Sequence, residues 1–371
     1  MKIAIKLTVV SGLCLQLATG PAQADNFEVM VAPVVPFKRY GAPSLVELKG
    51  GNILLAYNEW TELGDISDFS PAEIKARISE DGGRTWNRPF ILQENTSKKG
   101  RMDPPSLLRL QNGEIALFYE EVNSYTEVIA FVRKSSDEGQ TWSAPIRINQ
   151  TLHGGLDTMN HRAIQLRTGR LLMPFGYMPD YREQATVPEE ALVFYSDDDG
   201  RSWKQGTGRV RVPKHPSESR RRIGAQEPGL VELKDGSVMM IVRTAHERIF
   251  RSISRDGGDT WTNAEPIEQL VAPVAPATIM RIPQTRDLAM VWNYSPKVRT
   301  PLAIAVSRDE GKTWKNIRYL ETDYQSYAYT AFLFPRESNR LLLCYWVHDP
   351  KTQGIGLKIR GIDLDWIYSA E

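Results

Sequence analysis

One eight-residue pattern, Ser-x-Asp-x-Gly-x-Thr/Ser-Trp, occurs five times in the 371 residues, at 79–86, 135–142, 196–203, 254–261 and 307–314. Its aspartates stand at 81, 137, 198, 256 and 309, so successive copies are 56, 61, 58 and 53 residues apart. A motif this long at so even a period marks a chain that uses one supersecondary unit repeatedly. The motif itself reads as a turn between antiparallel strands. Asp81 can accept hydrogen bonds from backbone N–H groups two residues on, Gly83 accepts positive φ, and Trp86 packs back under the loop. The matching residues take the same parts in the other copies.

The text between the turns repeats as well. Residues 42–48, 105–110, 162–166 and 227–233 are short β-type runs, each followed by a Gly-containing turn. A second apolar run follows at 53–57, 115–119, 171–175 and 238–242. A third strand leads into each Asp turn, and a fourth leaves it, as at 90–93 and 146–148. Four antiparallel strands per period is the arithmetic of a propeller blade. Five turns give five blades. Residues 328–367 supply three further strands and 27–35 a lone one. Joining them predicts a sixth blade that closes the ring and leaves no open sheet edge. The expected fold is an all-β, six-bladed propeller forming one domain over residues 25–371.

Residues 1–24 read as a signal peptide. Lys2 and Lys6 form a basic start, 7–17 an apolar stretch, and Ala22-Gln23-Ala24 a small-residue cleavage site. The expected location is periplasmic or secreted. The formal net charge is +1 and becomes −1 without Lys2 and Lys6, a balance that favours neither nucleic acid nor a membrane surface as partner. Five histidines without metal-ligand spacing, and the lack of a phosphate-cradling glycine loop, predict neither a metal nor a cofactor. No feature of the sequence speaks to the oligomeric state.

The five Asp turns, and residues 27–367 as a whole, resemble the sialidase (neuraminidase) superfamily with its bacterial neuraminidase repeats. The resemblance implies a glycosidase in which three arginines hold the substrate carboxylate, because guanidinium pairs bidentately with it. It implies Arg243, sixteen residues after Glu227, as the second arginine and Arg299 as the third. The first falls where this chain has Gly41, with Arg39 the nearest arginine. Asp65 and Asp68, in the loop 61–71, match the acid/base aspartate. The nucleophilic tyrosine aligns with Ile359, which leaves Tyr327 and Tyr329 as alternative phenols.

Residue chemistry at the blade openings points the same way. Arg39, Arg101, Asp103, Asn160, Arg162 and Gln226 fall at strand starts that ring one mouth of the channel, together with Arg243, Arg299 and Tyr345 as expected sugar contacts. Asp65, Asp68, Glu227 and His161 are the candidates for proton transfer, and a Glu beside Tyr327 or Tyr329 would assist a phenolate. The expected partner is a carbohydrate, and the expected reaction is removal of a terminal anionic or deoxy sugar. Two alternatives stay open. One is a polysaccharide lyase, in which His161 or a tyrosine takes the proton beside a uronate. The other is a carbohydrate-binding propeller without turnover.

Overall fold

The computed structural model describes residues 26–369, apart from 63, 65–66, 69, 97–99, 181–186 and 218–222. The expected leader at 1–24 and Asp65 lie outside the described residues. Among those described, the strands form six antiparallel sheets arranged as the blades of a propeller. The chain starts with β1 (Phe27–Ala32). Blade one then comprises β2 (Tyr40–Glu47), β3 (Ile53–Trp60), β4 (Ala72–Ser79) and β5 (Phe90–Gln93). Blade two has β6 (Arg101–Arg109), β7 (Ile115–Ser124), β8 (Glu127–Ser135) and β9 (Ile146–Arg147). Blade three has β10 (Gly155–Asp157), β11 (Ile164–Gln165), β12 (Leu171–Met178), β13 (Glu190–Ser196) and β14 (Lys204–Gln205). Blade four has β15 (Gln226–Glu232), β16 (Val238–Arg243), β17 (Arg248–Ser254) and β18 (Glu265–Val271). Blade five has β19 (Thr278–Arg281), β20 (Leu288–Asn293), β21 (Leu302–Ser307) and β22 (Lys315–Glu321). Blade six takes β23 (Ser326–Leu333), β24 (Arg340–Asp349) and β25 (Gly354–Asp363), with β1 as its outer strand.

Three local expectations need correction. The opening strand of blade three is broken into β10 and β11, both paired with β12. The N-terminal strand ends at Ala32 rather than 35, where Pro33 has no N–H to give the ladder. The last residues form a short helix, α1 (Leu364–Tyr368), because the Asp363 carboxylate accepts from the Asp365 N–H and caps it. No helix among the described residues is long and apolar enough to cross a membrane.

The core is divided into six clusters, each filling the gap between two neighbouring blades. Blades one and two share Leu54, Ile74, Leu107 and Leu117, for example, and blades four and five share Met239, Ile241, Leu288 and Trp292. The sixth gap, between blades six and one, is filled by Leu45, Leu55, Leu342 and Leu357. Middle strands are therefore buried on both faces, which is why β20 and β21 are buried throughout and apolar up to their last residue rather than alternating.

The Asp turns are staples across these gaps. Asp81 Oδ1 accepts from the Thr85 N–H at 2.8 Å, four residues on rather than two, and the Ser79 hydroxyl donates to it at 2.8 Å while accepting from the Gly83 N–H. The same three bonds recur around Asp137, Asp198, Asp256 and Asp309. Trp86 Nε1 donates to the Gly83 carbonyl. The turn glycine is pressed against the preceding blade. A Cβ on Gly83 would lie 3.3 Å from Leu342, and one on Gly311 would lie 2.7 Å from Met239. Glu138, at the tip of the second turn, binds the Lys49 N–H of blade one and Arg109 of its own blade.

The closing pair is equally tight. A Cβ on Gly356 of β25 would stand 2.6 Å from the Ala32 carbonyl oxygen and 2.8 Å from the Val34 nitrogen. Gly356→Ala should thus pry the N-terminal strand off blade six, with a loss of about 1–3 kcal/mol by overpacking. Urea denaturation of the full chain reads this directly, and an unchanged midpoint would contradict closure at this seam.

Candidate active site

Four of the six blade-opening strands carry a β-bulge at the same end of the channel. The register shifts between Gly41 and Ser44, Asp103 and Ser106, Gln226 and Gly229, and Ala328 and Ala331. At three of them a non-glycine residue adopts positive φ: Ala42 at 46°, Glu227 at 45° and Tyr329 at 52°. Such backbone costs on the order of 1–3 kcal/mol per residue and persists only where the surroundings over-determine it. A bulge re-aims the side chain it carries. Tyr329 would otherwise share the face of Tyr327, two residues earlier, whose ring lies in the core between blades five and six.

The bulges open onto a cavity of about 590 Å³, lined by Arg39, Asp68, Glu227, Arg243, Arg299 and Tyr329 among others. Gln226 of β15 stands opposite Arg243 of β16, which sets the neighbouring Glu227 beside that arginine. Arg243 Nη1 donates to Glu227 Oε1 at 2.7 Å in a buried pair, while Glu227 Oε2 has no partner among the described residues. Arg39, just ahead of β2, lies 4.0 Å from the Trp60 ring and donates to Asp68 Oδ1 at 2.7 Å. Arg299 sits 5.5 Å from the Tyr329 ring and 5.7 Å from that of Trp346. Burial pushes the Asp68 carboxyl up, but Arg39, Arg101 and Arg299 outweigh it and hold the group below the usual carboxylate range. Burial and the neighbouring Glu227 push the Tyr329 phenol up, against the pull of Arg299, Arg243 and Arg39.

A second set of carboxyls lies in and behind the opposite wall. Glu120 of β7 and Asp157 of β10 line the cavity, and Glu189 stands behind Gln226, whose amide donates to it at 2.7 Å. Asp103 is held by Arg101 at 2.8 Å. Burial raises Glu120 well above the ordinary range, reinforced by Asp157 and Asp103. Burial likewise raises Asp157, with Glu189 and Glu227 adding to it, and burial lifts Glu189 to about 7. Sequence reasoning did not single out Asp157 or Glu189. β10 has three residues, too few for a strand pattern, and Glu189 stands outside any repeat.

Several expected site residues lie elsewhere. His161 lines a second, largely apolar cavity at the other end of the channel. Its Nε2 must donate to the Phe332 carbonyl at 2.9 Å, so Nδ1 is the acceptor facing the Ser44 hydroxyl, and burial lowers the ring to about 4. Asn160 ties together the Pro43, Tyr329 and Thr330 carbonyls. Arg162 is buried and reaches Thr278 at 3.4 Å. Tyr327 and Tyr345 pack edge to face, with their hydroxyls donated to Asp323 and Glu321. Ile359 belongs to β25, third strand from the axis, and is sandwiched between Cys344 and Val29 in the core. Of Tyr327, Tyr329 and Tyr345, Tyr329 is the one that lines the cavity, and Arg39 lines it as well.

A family model described as a BNR repeat-like domain matches residues 68–339, well over half of the chain. A sialidase of Micromonospora viridifaciens is 26% identical over 369 residues, covering 89% of this chain and 52% of the relative. A Trypanosoma rangeli sialidase in complex with sialic acid superposes with a TM-score of 0.70 at 15% identity, over 93% of this chain and 59% of that one. An intramolecular trans-sialidase from Ruminococcus gnavus in complex with oseltamivir carboxylate gives 0.69 at 15% identity, over 91% and 98%. The chain spans about half the length of the curated relatives it matches first.

The raised carboxyls make stability depend on pH. A carboxyl raised on folding binds more protons folded than unfolded, so its contribution is complete below the ordinary carboxylate range and is lost as pH climbs through the raised value. For Glu189, lifted from 4.5 to about 7, that loss is roughly 3 kcal/mol between pH 4 and 8. The urea midpoint should fall across that window, and Glu189→Gln should flatten the fall. A midpoint independent of pH would refute the assignment.

Proposed function

As the chain belongs to the BNR repeat-like domain family, within the sialidase-like superfamily, we infer that it is a glycoside hydrolase releasing a terminal anionic sugar from glycans. The observation that carries this reading is the meeting of Arg39, Arg243 and Arg299 with Asp68, Glu227 and Tyr329 around one cavity. Three guanidinium groups suit a carboxylate and fix the ring that bears it. Tyr329 is the nucleophile, attacking the anomeric carbon as its proton passes to the open Oε2 of Glu227. Asp68 protonates the departing glycosidic oxygen and afterwards takes a proton from the water that releases the sugar. Arg243, by holding Glu227 Oε1, keeps that carboxylate in place. The leader-like residues 1–24 support an exported enzyme. Elimination is the weaker reading, since of its expected bases His161 faces the other cavity with both ring nitrogens engaged, which leaves it a tyrosine alone.

Turnover of aryl α-sialosides by the full chain tests the reading. Tyr329→Phe should abolish it while leaving the fold intact, and undiminished activity would remove the phenol from the mechanism. Arg243→Lys keeps the charge but loses the fork, and should cost on the order of 2 kcal/mol in kcat/KM, about 30-fold.

Binding should also retune Asp68. A substrate carboxylate neutralises Arg39 and Arg299, two of the cations that hold this group low. The group required in its protonated form should therefore titrate at higher pH in kcat, which reports the complex, than in kcat/KM, which reports the free enzyme. Coincident limbs would show that Asp68 does not answer to the bound carboxylate.

A further inference from the structure

The cavity is polarised. Arg299 of blade five faces Glu120 of blade two across the axis, and Tyr329 of blade six faces Asp157 of blade three. Two carboxylates already have their cation, Asp103 in Arg101 and Glu227 in Arg243. Glu120 and Asp157 form no ion pair among the described residues. Glu120 is only 3% exposed, and its Oε1 has no hydrogen-bond partner there although the side chain lines the cavity. The Oε1 of Gln226, on the same wall, also lacks a donor. A buried carboxyl oxygen without a donor is costly, and Arg101 beside it is bonded to Asp103.

We propose that this wall receives a cationic amino group of the substrate, so that the preferred sugar is a zwitterionic sugar acid with its carboxylate on the arginines and its ammonium on Glu120 and Asp157. The inference rests on the sugar-acid reading of the cavity given above. An ammonium brings three donors and a charge, enough for Glu120 Oε1, Asp157 and Gln226 Oε1 together. A hydroxyl brings one donor, and an acetamide brings one N–H and adds a carbonyl acceptor to a wall already short of donors. The apolar neighbours Val122, Val128 and Leu156 exclude water and strengthen the charge interaction, although they would also suit the methyl of an acetamide. Burial raises both carboxyls above the ordinary carboxylate range. Seating an ammonium there would expel protons, which a neutral group would not do.

Calorimetry on the full chain carrying Tyr329→Phe separates these cases without turnover. The probes are three nonulosonic acid α-glycosides that differ at one ring carbon, bearing ammonium, acetamide or hydroxyl. At pH 7 the ammonium probe should bind at least about 10-fold more tightly than the other two. Its binding should release protons, seen as a heat that changes with the ionisation enthalpy of the buffer. Glu120→Gln, or Asp157→Asn if that variant does not fold, should remove both the preference and the proton release. Equal or tighter binding of the acetamide or hydroxyl probe overturns the proposal, as does a preference that survives both substitutions, or no binding at all. Hydrolysis of any of the three glycosides by the unsubstituted chain upholds the glycosidase reading whichever nitrogen form is preferred. An ammonium preference without any hydrolysis would sink that reading and leave this inference standing.

Discussion

The burial of both faces of every sheet is the constraint on which the rest of the molecule depends. A four-stranded sheet with two apolar faces has no stable solution alone, and a row of such sheets leaves one face exposed at each end. Closing the row into a ring removes both ends at once. The pairing of β1 with β25 does this, since it lets blade six present a complete sheet to blade one. Leu45, Leu55, Leu342 and Leu357 then fill the last gap as the other five gaps are filled. The Asp turns reinforce the same seams. Gly83 reaches back to Leu342 on blade six, so the first turn staples the closure itself.

A closed ring of rigid blades fixes the ends of six inner strands around an axis, and the site is built from what happens at those ends. The ladder of a flat strand would turn Tyr329 toward the face of Tyr327. The bulge and its positive φ turn it to the cavity instead, and the same device aims Glu227. The backbone strain is offset by the ladders of β15 and β16, and of β23 and β24, which continue on both sides of each bulge. Because the strained residues line the cavity, its geometry is set by sheet register. A one-residue slip in β23 would return the phenol to the core.

This explains which parts of the molecule were legible in the sequence. The ring was, because periodic turns and apolar runs are local signals, and six blades follow from counting them. Arg243, Glu227 and Arg299 were legible as a motif pair and a strand start, and the cavity contains all three. The choice among tyrosines was not. Ile359 and Tyr329 differ in distance from the axis, and strand order within a blade is a long-range fact that local spacing does not carry. Arg39 stands two residues ahead of Gly41 and outside β2, so its place at the cavity belongs to the approach to blade one, which local spacing does not carry. His161 and Arg162 were expected to open a strand, but blade three begins with the broken pair β10 and β11, and both residues lie between its two pieces, away from the cavity. The α1 helix was missed because its capping Asp363 ends a strand pattern and starts a helix in one residue.

The carboxyl wall has a different status from the arginine wall, and the difference lies in what each costs the unliganded protein. Arg243 and Arg39 are paired with Glu227 and Asp68, so their charges are answered before any ligand arrives. Glu120 and Asp157 have no ion pair among the described residues, and burial raises both above the ordinary carboxylate range. A folded protein gains nothing from two neighbouring acids buried without an ion pair, and apolar side chains of similar volume would serve the blade two to blade three interface at least as well. Their presence beside the cavity is therefore a stability sacrifice, the common mark of a surface shaped for something other than folding. The cavity that results is polarised across the propeller axis, with arginines at blades one and five and carboxyls at blades two and three. A ligand of opposite polarity, seated along that axis, would satisfy both walls in a single orientation.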